Sequence, residues 1–281
     1  MMGICLVAKE GSKEKHYKLG GKDMNVKTMF DLSGKTAIVT GGSTGLGAQM
    51  AIAMAEAGAN LIIAARKVDR CNEMCAMLEE HGARAIAVAC DASKEADCQN
   101  LIDVAMKEFG KLDILVNNAG KAWVADSLNF PMDRWQQVIN LNLTGTYQLS
   151  AMAARVMKEQ GGGKIINTAS IGGLRGDKPE NANSIAYTAS KGAVITMTKD
   201  LAVKWATYGI TVNAICPGWF PTSMNDQLLE QNRKNIMPRI PLNRYGGEND
   251  LKGVIVFLAS AASNYMTGQC VVVDGGQTAL L

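Results

Sequence analysis

The stretch from residue 35 to residue 64 restricts most sharply what this chain can fold into. Residues 35–40 are a short apolar run of β-forming side chains, and the sequence then turns glycine-rich: Thr40, Gly41, Gly42, Ser43, Thr44, Gly45, Leu46, Gly47. An alanine-rich helical pattern over 48–57 stops at Gly58, and residues 60–64 form a second apolar run. Strand, glycine turn, helix and strand in that order make a crossover of about 30 residues between parallel strands. Glycines at such a turn let the backbone approach a pyrophosphate, and the N–H groups of the following helix point at its charge. Gly41, Ser43, Thr44, Gly45, Leu46 and Gly47 are therefore candidate dinucleotide contacts.

The residue at the end of the second strand selects the cofactor. An acid there binds a ribose 2′-hydroxyl, and an arginine accommodates a 2′-phosphate. Here the run is Ala64, Ala65, Arg66, Lys67, with no acid before Asp69. Guanidinium geometry suits phosphate, so the expected cofactor is NADP(H), with NAD(H) as the alternative.

The alternation continues along the chain. Helical patterns cover 68–81, 94–109, 132–158 and 249–259, and strand patterns cover 85–90, 112–116, 164–168, 210–215 and 269–273. Regular alternation predicts an α/β fold with a parallel sheet covered on both faces, and right-handed crossovers place the strand C-termini along one edge. Gly41, Asp91, Asn118, Ser170 and Pro217 all follow strand ends and are expected to line one site. No repeat or low-complexity linker divides the region 31–281, which reads as a single domain.

Tyr187 and Lys191 lie four residues apart in a helical segment with Ala186, Ala189, Ile195, Met197 and Leu201 on its apolar side. Residues so spaced share one helical face. An ammonium beside a phenol stabilises the phenolate and is expected to lower its pKa from about 10, giving an acid–base group useful at neutral pH. An amphipathic helix with an exposed lysine is the plainer reading of the same spacing.

Composition narrows the remaining classes. The net charge of +3 comes without a long basic stripe interleaved with aromatics, so nucleic acid is not indicated. No apolar run reaches the ~18 residues of a membrane span. The 7 cysteines are scattered, which points to a reducing cytoplasm rather than a disulfide framework. Cys71 and Cys75, with His81 nearby, complete no zinc pattern and read as helix packing, so no metal is expected. Residues 1–30, lysine-rich with little periodicity, read as an extension without order of its own, or as sequence upstream of a start at Met24 or Met29.

From about residue 30 onward the chain resembles the short-chain dehydrogenase/reductase family. The matching pieces are Thr40-Gly41 with Gly45 and Gly47, Asp91, Asn117 to Gly120, Asn142, Ser170, Tyr187 with Lys191, and Pro217-Gly218 with Thr222. The resemblance implies a Rossmann-type core with about seven parallel strands, a nicotinamide cofactor and a homotetramer. It assigns Tyr187 as general acid in reduction and base in oxidation. Lys191 would tune Tyr187 and bind the nicotinamide ribose, Ser170 would hold the carbonyl oxygen, and Asn142 would fix a relay water. Asp91 and Ala92 would contact adenine. Asn118, Ala119 and Gly120 would line the cofactor channel together with Pro217, Gly218 and Phe220, and Thr222 would meet the carboxamide. Chemically, hydride transfer to a ketone develops charge on oxygen, which a serine hydroxyl and an acidic phenol can stabilise.

Specificity is expected from residues 171–186 and 219–245. The first carries the additional residues 178–183, a feature similar to a gluconate 5-dehydrogenase-like or 3-oxoacyl reductase-like subgroup. The second offers Trp219, Phe220, Met224, Leu228 and Leu229 as a lid. Lys178, Arg233, Lys234 and Arg239 could steer a carrier phosphate or be plain surface. The first expectation is a 3-oxoacyl thioester or similar ketone; the alternatives are a sugar-acid or polyol dehydrogenase and a non-catalytic cofactor-binding sensor.

Overall fold

The computed structural model describes residues 25–222 and 225–280. Seven strands form one sheet: β1 (Thr36–Thr40), β2 (Asn60–Ala65), β3 (Ala85–Ala89), β4 (Ile114–Asn117), β5 (Gly163–Thr168), β6 (Ile210–Pro217) and β7 (Cys270–Val273). Their order is 3-2-1-4-5-6-7 and every neighbouring pair is parallel. The helices are α1 (Gly45–Glu56), α2 (Val68–Glu80), α3 (Glu95–Phe109), α4 (Met132–Ile139), α5 (Thr146–Glu159), α6 (Ile185–Trp205), α7 (Asp226–Gln231), α8 (Arg233–Ile236) and α9 (Lys252–Ala259).

Alternation along each strand sends neighbouring side chains to opposite faces. Val39, Leu61, Ile63 and Val116 pack with Met50 and Met54 of α1, Leu78 of α2 and Ile255 of α9. Ile38, Ile62, Leu115 and Ile165 pack with Leu101 of α3, Leu149 of α5 and Leu201 of α6. Both faces are thus covered, as a parallel sheet requires. Each fully buried aliphatic side chain contributes roughly 1.5–3 kcal/mol. This is the doubly wound single domain expected from the sequence. β1 lies between β2 and β4, so the crossovers leave in opposite directions there and open a crevice at the strand C-termini.

The strand patterns held to within a few residues. The helix expected over 132–158 is continuous, but within it α4 and α5 are joined by a π-helical segment, Asn140–Gly145. Two contacts account for this change. The Asn142 carboxamide closes a double hydrogen bond with the Lys121 backbone, Oδ1 accepting from N and Nδ2 donating to O, both at 2.9 Å. Gly145 packs so tightly on the Ala92 carbonyl that a Cβ there would overlap it. Inserting one residue into the ladder lets the helix turn its side chains onto both partners.

The polar interior is organised as well. Asn117 Nδ2 donates to Ser150 Oγ at 2.8 Å and to Asn167 Oδ1 at 2.9 Å, and Asn167 Nδ2 donates to Thr198 Oγ1 at 2.9 Å. This buried ladder ties β4 and β5 to α5 and α6, each bond contributing about 1 kcal/mol net.

The reading of an N-terminal extension falls mostly on residues 1–24, which lie outside the described residues. Residues 25–30 form turns, and the Met29 carbonyl accepts from Ala262 N at 3.2 Å. No helix among the described residues is long and apolar enough to cross a membrane.

Candidate active site

The crevice at the sheet edge encloses about 340 Å³. Its floor is the glycine turn after β1. Thr44 precedes α1 without a side-chain cap, and the first turn carries no acid, so its N–H groups remain available to an anion. Ser43, Thr44, Gly45 and Leu46 line the crevice with Gly41. Thr40, which opens the glycine motif, anchors this floor: its Oγ1 accepts from Asn118 N at 3.0 Å and Ala119 N at 3.1 Å. Asn118 Nδ2 in turn donates to the carbonyls of Thr40 and Gly41, at 3.0 and 3.2 Å.

Gly47 departs from its expected role. It does not line the crevice. A Cβ there would overlap the Gly41 carbonyl and the Asn118 amide, so the residue lets α1 lie against the turn.

Arg66 stands exposed at the end of β2 and closes one end of the crevice beside Asp91 and Ala92. Burial pushes the Asp91 carboxyl up, but hydrogen bonds from Ser93 and the charges of Arg66 and Lys94 outweigh it, so its pKa lies below the usual value. Pro217, Gly218, Phe220 and Thr222 form the opposite wall, with Gly120 and Lys191 toward the centre. Asn225 was missed by sequence reasoning. Its Oδ1 accepts from Thr222 N at 2.8 Å and Thr222 Oγ1 at 3.0 Å, fixing that wall. Leu141, contributed by the π-helical segment, is a second lining residue that helix periodicity alone does not reveal.

On α6, the buried positions Ala186, Ser190, Val194, Thr198 and Ala202 repeat every four residues, and Lys191 is buried beside them at 5% exposure. The spacing therefore does place Tyr187 and Lys191 together: the Lys191 Nζ lies 5.6 Å from the Tyr187 ring centroid. Lys191 Nζ donates to the Thr168 carbonyl at 2.5 Å. Both side chains, with Ser170, line the crevice.

The electrostatic consequence differs from the expectation. The pKa of Tyr187 is raised, not lowered. Desolvation by the surrounding protein is the dominant cause and the nearby Cys216 adds to it, while contact with the Ser170 hydroxyl pulls the other way. Lys191, whose own pKa burial lowers to about 8, does not reverse the shift.

Asn142 does not line the crevice. Besides Lys121, its Nδ2 donates to Ser190 Oγ at 3.0 Å, so both of its protons are committed to protein acceptors. What the side chain retains for a water is lone-pair capacity on Oδ1.

A second cavity of about 450 Å³ adjoins the crevice, and Ser170, Tyr187, Gly218 and Asn225 line both. Residues 171–188 supply much of its wall, and the residues added at 178–183 are part of it. Asn181 Nδ2 donates to Asp177 Oδ1 at 2.8 Å, and the Asn183 carbonyl accepts from Ala125 N at 3.0 Å. Of the lid residues, Trp219 and Leu228 face this cavity. Leu229 instead packs with Ile236 and Ile240, and Phe220 is buried at 3% exposure. Met224 lies outside the described residues. Arg239 is bound to Asp177 at 2.6 Å and is not a spare cation, whereas Arg233 lies over the Tyr245 ring without a carboxylate partner among the described residues. Cys71 and Cys75 are buried on α2, as the packing reading expects.

A family model described as Enoyl-(Acyl carrier protein) reductase matches residues 41–278. The chain is 39% identical to a short-chain type dehydrogenase/reductase from Mycobacterium marinum whose crystal structure superposes with a TM-score of 0.88, covering 91% of this chain and all of that one. This chain belongs to the short-chain dehydrogenase/reductase family. It is an oxidoreductase, which removes the non-catalytic sensor from consideration. A 2-dehydro-3-deoxy-D-gluconate 5-dehydrogenase of Dickeya dadantii (strain 3937) is 42% identical over 250 residues, 88% of this chain and 96% of that relative. A gluconate 5-dehydrogenase from Burkholderia cenocepacia J2315, solved in complex with NADP and tartrate, is 34% identical with a TM-score of 0.85, covering 90% of this chain and 98% of that one.

Proposed function

We propose that this short-chain dehydrogenase/reductase interconverts a ketone and a secondary alcohol on a sugar acid of the gluconate type, with NADP(H) as cofactor. The observation that carries the reading is the shared wall. Ser170 and Tyr187 stand where the dinucleotide crevice meets the second cavity, so a carbonyl held there faces both hydroxyls and the crevice. The gluconate-type names of the relatives support the substrate class, and NADP in a structural neighbour joins Arg66 in supporting the cofactor.

The crevice residues fit such a cofactor. The uncapped start of α1 suits the pyrophosphate, Asp91 and Ala92 the adenine end, and Arg66 a 2′-phosphate. When bound, the cofactor supplies or accepts the hydride. In reduction, Ser170 Oγ donates to the carbonyl oxygen and the Tyr187 phenol delivers the proton as charge develops there. In oxidation the same phenol oxygen receives the alcohol proton. Lys191, held by the Thr168 carbonyl, keeps a positive charge beside Tyr187 and is placed to hold the nicotinamide ribose.

A 3-oxoacyl thioester, the first expectation, has less support, since Arg239 is committed to Asp177 rather than available to a carrier phosphate. The deciding experiment is a panel run with both cofactors: gluconate oxidation with NADP against acetoacetyl-CoA reduction with NADPH. Turnover of acetoacetyl-CoA alone overturns the sugar-acid reading. We further propose a cytoplasmic homotetramer, the assembly that the family resemblance implies. Exposed apolar side chains on α4, α5 and α6, Met132, Tyr147 and Val203, support assembly. A monomer by light scattering at micromolar concentration overturns it.

A further inference from the structure

The second cavity contains one cation and one anion among its described lining residues, Arg175 and Asp177. The anion is already satisfied. Asp177 Oδ1 accepts from Arg239 Nη1 at 2.6 Å, Asn181 Nδ2 at 2.8 Å and Lys178 N at 2.8 Å. The cation is not. Arg175 Nη1 donates to the Gln277 carbonyl at 3.0 Å, which fixes the guanidinium against the C-terminal turn. Among the described residues its Nη2 is covered by protein and has no acceptor, the Gln277 side-chain amide is likewise buried and unpartnered, and Arg175 pairs with no carboxylate. Trp219 also lines this cavity, and its Nε1 is likewise buried without an acceptor among the described residues.

Arg175 and Trp219 both line this cavity and each holds a covered donor without an acceptor, one of them charged, so a side-chain turn toward the cavity would bring both to an acceptor-only anionic group. A buried donor without a partner is costly, and a ligand that supplies one recovers that cost. A planar carboxylate matches a guanidinium edge better than any neutral hydroxyl does. We propose that Arg175 is the residue that recognises the substrate carboxylate, with the Trp219 indole N–H as a second donor. This rests on the sugar-acid reading above and deepens it: it explains how the cavity selects an acid over the corresponding neutral polyol. Arg175 acts on specificity, while Ser170 and Tyr187 act on the reacting carbon.

The test compares gluconate with gluconamide, which has the same carbon chain without the charge. NADP-dependent oxidation of each is measured for the parent, Arg175→Gln, Arg175→Lys and Trp219→Phe, with NADPH fluorescence titration and thermal melting as controls for the fold. The parent should prefer gluconate by at least about tenfold in kcat/KM. Arg175→Gln should lower kcat/KM for gluconate by about 100-fold, mostly through KM, and change gluconamide by less than about threefold. Trp219→Phe should raise the gluconate KM by about threefold to tenfold. Should Arg175→Gln not fold, Arg175→Lys carries the same comparison, with a smaller loss confined to the acid. A parent that turns over gluconate while the Arg175 variants lose both substrates equally, or neither, overturns the inference and leaves the sugar-acid reading standing. A parent that favours neither carboxylate substrate nor any other sugar acid over its neutral form overturns that reading and the inference with it.

Discussion

Asn142 Nδ2 donates to Ser190 Oγ at 3.0 Å, and that hydroxyl donates to the Tyr187 carbonyl at 2.7 Å. A residue in the π-helical segment is thereby joined to the helix that carries the phenol, 48 residues further along the chain. The link is buried, with Asn142 and Ser190 at 1% and 0% exposure. Ser190→Ala removes it without opening a large void. The expected loss is about 1–2 kcal/mol of stability, the usual range for a buried hydrogen bond with one partner left behind. If the link positions Tyr187, kcat should fall about tenfold with the cofactor Kd unchanged. A variant that melts lower but turns over like the parent would show the link to be structural only.

Tyr187→Phe tests the acid–base group directly. The change removes one oxygen and leaves the ring packing, so NADPH should bind within about threefold of the parent. Turnover should fall by at least about a thousandfold in both directions, since general acid–base transfer and oxyanion stabilisation are lost together. Steady-state rates with a fluorescence titration of NADPH decide it; residual activity within tenfold of the parent contradicts the assigned role.

How far the sequence discloses this site depends on the range of the interactions involved. The strand ends were legible because β1 to β7 alternate or run apolar between turn residues, and the placement of Gly41, Asp91, Asn118, Ser170 and Pro217 follows from parallel topology alone. The pairing of Tyr187 with Lys191 was legible from helical geometry. The π-helical segment was not, because the apolar pattern continues through Asn140–Gly145 and the cause is tertiary: Lys121 and Ala92 press on it from elsewhere. The contact of Arg175 with Gln277 spans 102 residues and that of Asp177 with Arg239 spans 62, so no local spacing marks them. The direction of the Tyr187 shift was also out of reach. Spacing shows which charge is near, whereas desolvation depends on everything packed around the phenol.

Arg66→Ala addresses cofactor choice. Arg66 is exposed at the β2 end, and no acid stands there to bind a 2′-hydroxyl. Removing the guanidinium should weaken NADPH about 10- to 100-fold and NADH by less than about threefold, because only the former carries the 2′-phosphate. The weakening should be smaller at high ionic strength, as expected for a solvent-exposed charge. Equal Michaelis constants for NADPH and NADH in the parent would refute the preference outright.

Lys191→Met should separate function from stability. Lys191 is buried, and desolvation lowers its pKa from 10.5 to about 8. Below pH 8 both folded and unfolded chains hold the proton, and the folded state bears the full cost of burying the charge, on the order of 3 kcal/mol. Between pH 8 and 10.5 the folded state releases the proton first, so the unfolded state binds more protons and stability rises with pH. Above 10.5 the penalty is gone. Methionine removes the charge but leaves the Thr168 carbonyl without its donor, which costs about 1 kcal/mol. The variant should therefore be more stable than the parent by about 2 kcal/mol at pH 7, with the advantage shrinking as pH rises through 8 to 10.5. Turnover should be lost throughout. Urea unfolding of both proteins from pH 6.5 to 10.5 checks the sign: a parent more stable at pH 7, or a difference independent of pH, would mean that Lys191 is not buried as a charge.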